Sequence, residues 1–124
     1  MIAGKMDKHP LLDLDVLLSR QEIGDEFFEL LLKTFSCEVP ELLGKLKQGL
    51  KKHDRNIIRQ LCHKLKGMSI NIGALSLSKA GQEIEEETYQ ESFSILEAAI
   101  EKLEWIFEQT QTELDVFRKK GVDS

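Results

Sequence analysis

Residues 93–117 read FSILEAAIEKLEWIFEQTQTELDVF. Phe93, Ile100, Phe107 and Leu114 repeat by sevens. So do Leu96, Leu103, Thr110 and Phe117, with Thr110 the polar exception. Two interleaved sevens make an apolar stripe along one side of a helix, and that stripe must be covered. A dimeric coiled coil could use the same spacing. Three other stretches of this chain carry matching stripes, so coverage within one molecule is preferred. Ser92 is placed to cap this helix, which is expected to run to about Lys119. Trp105 leans outward beside the seam and is expected to be partial core.

Working backward, Phe28, Phe35 and Leu42 are spaced by sevens, as are Leu32, Val39 and Leu46. They predict a long helix from about Asp25 to Lys51. Pro40 falls inside it, so a kink near 36–40, or two helices meeting there, is expected. Asp54 caps a following helix whose inner stripe is Ile58, Leu61, Leu65, Met68 and Ile72, with Gly73 as the left-handed residue after its end. A shorter helix spans about 76–87, with Leu77, Ala80 and Ile84 inside and Gly81 permitting close helix contact. Near the N-terminus, Pro10 suits the first turn of a short helix with Leu11, Leu14, Leu17 and Leu18 on its apolar side. Short connections make neighbours antiparallel. The expectation is an all-α, antiparallel up-down four-helix bundle with a short additional N-terminal helix: one domain over 10–120, a loose segment over 1–9 and a tail over 121–124.

The chain has 124 residues, 41% of them hydrophobic and 31% charged, enough for a core without staples. No apolar run approaches the roughly 18 residues that span a bilayer, and residues 1–10 lack a secretory apolar segment, so a cytoplasmic site is expected. Cys37 and Cys62 fall on or beside apolar stripes and are expected to be buried, reduced thiols. The net charge of −5 argues against nucleic acid as a partner. Between Lys51 and Lys66 there are six basic residues (Lys51, Lys52, Arg55, Arg59, Lys64, Lys66) against Asp54 alone; between Glu83 and Glu91 there are five acids and no base.

The basic run leads into HKLKGMSINIGA, residues 63–74. On a helical wheel His63 lies away from the inner stripe, beside Gln60, Lys66, Gly67 and Ile70. Lys66 can place an ammonium one turn from the imidazole. Gly67 costs about 1 kcal/mol in a helix interior relative to alanine, a cost offset if the missing side chain lets another molecule approach. Ile70 offers that molecule an apolar rest. An accessible nucleophile, a cation at one turn and a cleared approach suit an imidazole that takes a phosphoryl group from a docking protein. His9 and His53 read as surface residues.

The stretch resembles the phosphoacceptor signature of histidine-containing phosphotransfer (HPt) domains, read here by His63, Leu65, Lys66, Gly67, Ser69, Gly73 and Ala74; Met68 departs mildly. The resemblance covers the chain from roughly Leu11 onward. It implies a phosphocarrier that accepts a phosphoryl group on His63 from a receiver-domain aspartate and passes it to another receiver. It favours a continuous, bent helix through Pro40. It implies response-regulator receivers and a hybrid sensor kinase as partners, Mg²⁺ on the receiver, and no cofactor or metal of the domain's own. By spacing, Gln82 and Glu85 return to the level of His63. Relatives place a glutamine or glutamate there, and Glu85 matches, to orient the imidazole. Arg59, Gln60, Lys64 and Ile70 are the expected partner-binding residues around His63.

Other chemistries lack parts. There is no glycine-rich phosphate loop for a kinase, and His9, His53 and His63 are scattered with no H-E-x-x-H for zinc. The competing class is a helical adaptor that binds a receiver or kinase without carrying phosphate, against which His63, Lys66 and Gly67 stand together. A monomer is expected. Met1 fits a free-standing protein, with a domain of a larger kinase as the alternative.

Overall fold

Five helices follow one another: α1 (Leu14–Ile23), α2 (Asp25–Lys51), α3 (Arg55–Asn71), α4 (Leu75–Glu87) and α5 (Phe93–Asp123). This is a computed structural model, and it describes residues 10–123, with side chains to 120. The segment expected to be loose, 1–9, lies outside the described residues. Helices α2, α3, α4 and α5 each pack against the next and α5 closes on α2. Among the described residues there is no strand, only an isolated bridge between Leu12 and Ala74.

The heptad seams do what their spacing requires. Phe28 meets Phe117 with ring centroids 6.0 Å apart, Phe35 meets Phe107 at 5.6 Å, and Lys47 pairs with Glu104 at 2.9 Å. Partner numbers fall along α5 as they rise along α2, so the two run antiparallel. Leu46, Leu65, Leu77, Leu96, Leu103 and Leu114 are fully or almost fully buried, each contributing about 1.5–3 kcal/mol of transfer free energy. The polar exception, Thr110, is also buried and donates from Oγ1 to the Ile106 carbonyl at 2.7 Å.

Pro40 does not split α2. Its ring is exposed, while Phe35, Val39 and Leu42 on either side sit in one core, and that shared burial keeps the helix continuous despite the missing hydrogen bond. The short helix begins later than expected. Asp13 caps α1, accepting from Asp15 N at 3.1 Å and Val16 N at 3.3 Å, and Pro10 lies before it. Only Leu17 of α1 is fully buried; Leu14 and Leu18 are exposed.

Residues 10–13 instead form a strap over the α3–α4 turn. Asp13 N donates to Gly73 O at 2.7 Å, Leu75 N to Leu11 O at 2.9 Å and Ser76 Oγ to Pro10 O at 3.0 Å. Gly73 has φ +74, and a Cβ there would lie 2.9 Å from the Asp13 carbonyl oxygen. Two further expectations are corrected. Trp105 is 58% exposed, because it points opposite the buried Leu96–Leu103–Thr110 seam. Cys37 is exposed, since it lies two residues, about 200° of helix, from both Phe35 and Val39. Helix α5 runs past Lys119 to Asp123, into the stretch expected as a tail.

Candidate functional site

Asp54 starts α3, accepting from Ile57 N at 3.1 Å. Ile58, Cys62, Leu65 and Ser69 then turn inward. That leaves His63 on the opposite side, its side chain 66% exposed. Arg59, Gln60, Lys64, Gly67 and Ile70 are exposed on the same helix. A Cβ on Gly67 would meet nothing within 4 Å. The clearing beside His63 is therefore open on its outer side and is not filled by another part of the chain.

Helix α4 supplies the rest. Gly81 is buried, and a Cβ there would lie 3.4 Å from the Cys62 carbonyl oxygen and 3.7 Å from Leu65 Cδ2. With only a hydrogen at this position, α4 approaches α3 closely at the histidine turn. Glu85, one turn beyond Gly81, then reaches across: its Oε2 is 2.7 Å from His63 Nδ1, and its Oε1 is 3.1 Å from Lys66 Nζ. The Glu85 side chain is 16% exposed. Burial would push its carboxyl up, but the contacts with Lys66 and His63 outweigh that and hold it below the ordinary carboxylate value.

A carboxylate can only accept, so the short contact puts a proton on Nδ1, and a neutral ring held this way is the Nδ1–H tautomer. The nitrogen lone pair is then on Nε2, on the side of the ring away from Glu85. The arrangement can present a neutral, oriented nucleophile to an incoming electrophile, with an ammonium one turn away. Gln82, the other residue at this level, donates instead to Glu86 at 2.7 Å.

The rest of the basic run divides. Arg55 is turned inward: its guanidinium donates to the carbonyls of Thr88 and Glu91 and lies 4.1 Å from the Phe93 ring centroid. His53, with φ +52, stacks on the same ring at 4.2 Å. These two fasten the α2–α3 turn to the α4–α5 loop and add nothing to the face of His63. Cys62 is buried, and burial pushes its thiol up to about 12, so it is inert beside the site. Among the described residues no group of three or more His, Cys, Asp or Glu side chains could hold a metal ion. No described helix is long and apolar enough to cross a membrane.

The close helix contact expected at Gly81 is present, and it decides how near Glu85 comes. The strap at 10–13 carried no motif and was not foreseen.

No curated protein matches this sequence. In structure the chain is similar to histidine-containing phosphotransfer protein B (HptB) from Pseudomonas aeruginosa PAO1, with a TM-score of 0.83 and 31% identity over 91% of this chain and 98% of that one. The family model of the Hpt domain matches residues 30–118, which include His63, Lys66, Gly67 and Glu85. The chain belongs to the Hpt domain family.

Proposed function

We propose that His63 is the phosphoacceptor of this phosphotransfer domain, taking a phosphoryl group from a receiver aspartate and giving it to another. The observation that carries the reading is the contact of His63 Nδ1 with Glu85 on a ring that is otherwise exposed. In the forward step Nε2 attacks phosphorus in line with the bond to the donor's aspartate. The N–P bond forms, the P–O bond breaks, and its electron pair leaves on the aspartate carboxylate.

Glu85 orients the imidazole and keeps its proton on Nδ1. Lys66 offsets charge on the phosphoryl oxygens. Gly67 leaves room for the receiver's approach, and Arg59, Gln60, Lys64 and Ile70 form the surface it meets. The chain acts as a carrier with no kinase chemistry or nucleotide site of its own, and Mg²⁺ belongs to the receiver. A hybrid sensor kinase stands upstream, the carrier works as a monomer, and the cytoplasm, where receivers reside, is its place.

The test is incubation of wild type and His63→Gln with a panel of phosphorylated receivers. Wild type should gain an acid-labile, alkali-stable phosphate, and the variant none while its helical content and melting are retained. Equal labelling of the two would overturn the assignment. Receiver binding that survives His63→Gln, with no label on wild type, would favour the adaptor instead.

A further inference from the structure

Glu85 serves two donors with one carboxylate. Its Oε2 accepts from His63 Nδ1 at 2.7 Å, and its Oε1 faces the Lys66 ammonium at 3.1 Å. That second contact is an ion pair without the alignment of a hydrogen bond, and Oε1 is shut off from water. We propose that Lys66 is exchanged between two anions: it neutralises Glu85 while His63 is free, and moves to the phosphoryl group when His63 is loaded, leaving the Glu85 carboxylate to hold the loaded ring as an imidazolium. The proposal rests on the reading of His63 as phosphoacceptor.

Reach permits the exchange. Lys66 is one helical turn from His63, its side chain is 24% exposed, and Gly67 beside it leaves open space. An ammonium on a flexible four-carbon stem re-aims at little cost. Charge balance requires a substitute once it leaves, because Oε1 would otherwise be a buried, uncompensated anion. The reaction makes that substitute. When the Nε2 lone pair forms the N–P bond and Nδ1 keeps its proton, the ring becomes cationic, and it does so against Glu85.

The surrounding charges work the other way. Arg59, one turn before His63, together with Lys64 and Lys66 on α3, disfavours a cationic ring. On α4, Glu86 is engaged by Gln82. Glu85 is therefore the group that holds the loaded ring protonated. A protonated ring departs as neutral imidazole when the next aspartate attacks, the N–P pair returning to Nε2. The device favours passing the phosphoryl group on over storing it, and Glu85 is a positioning residue that acts through charge as well as direction.

The experiment loads the full chain with phosphoramidate, a small donor that needs no receiver. It then follows ring ¹⁵N shifts and the ³¹P signal from about pH 6 to about pH 9. In wild type the ring's titration midpoint should rise on loading by about one unit, tenfold in proton affinity. Glu85→Gln keeps an oxygen for the Nδ1 proton but carries no charge; its midpoint should not rise, and its phosphohistidine should outlast that of wild type. Lys66→Gln should show the raised midpoint before loading and little further change. A wild-type midpoint that stays put, or an equal rise in Glu85→Gln, overturns the exchange while leaving His63 as acceptor. A ³¹P signal identical in His63→Gln overturns that assignment, and the exchange with it.

Discussion

At Gly73 a Cβ would lie 2.9 Å from the Asp13 carbonyl oxygen, whereas at Gly67, in the middle of α3, it would meet nothing within 4 Å. Both glycines belong to one twelve-residue stretch. At the C-terminal end of α3 the backbone takes φ +74 and the strap from residues 10–13 closes over it. There glycine is required by the chain's own geometry. In the middle of α3 the backbone is helical, the position is exposed, and glycine lowers helix stability. No demand of the fold explains it, and the approach of a receiver, as proposed above, would. On that proposal, identical residues in one motif report on folding at one position and on an approaching partner at another.

The sharpest way to break this contrast is substitution at the two glycines. Gly73→Ala forces an L-residue into the left-handed region and against Asp13. It is expected to cost about 2 kcal/mol in denaturant unfolding, with phosphotransfer per folded molecule retained. Gly67→Ala is expected to do the reverse: about 1 kcal/mol of added stability from helix propensity, and transfer from a receiver slowed by about tenfold or more through a displaced approach. A Gly67→Ala protein that transfers at the wild-type rate would remove the functional half of the comparison.

The smallest expected effect separates the two regions by pH. The Glu85 carboxyl lies below its ordinary value of 4.5 in the folded chain. Its contribution to stability is therefore fully present above that value and lost as pH falls through the lower folded-state one. The stability gap between wild type and Glu85→Gln should be undiminished near neutrality and shrink below about pH 4.5. The Gly73→Ala gap involves no titrating contact and should not follow it. Unfolding curves taken across that range check both.

Sequence reading went furthest where a period or a special backbone conformation leaves few choices. The seams of α2 and α5, the Asp54 cap and Gly73 after α3 are local statements, and each is found as expected. It was weakest at the N-terminus. Leu11, Leu14, Leu17 and Leu18 look alike as leucines, yet Leu11 belongs to a strap, Leu17 is buried and Leu14 and Leu18 are exposed. Which leucine faces inward depends on where the strap pins the helix, and that pairing joins residues 60 or more apart in the chain. The basic run divides for the same reason: Arg55 is spent on the Thr88 and Glu91 carbonyls, while Lys66 faces Glu85 beside His63.

What the amino-acid order determined by itself was the helical period, the helix ends and the outward placement of His63, since each follows from the spacing of side chains along a single segment. Spacing and the resemblance brought Glu85 to the level of His63, and tertiary structure decided that it touches the ring. The 2.7 Å contact between Nδ1 and Glu85 exists because Gly81 lets two helices close on each other, and the distance between separate segments is set by packing, which no local pattern encodes.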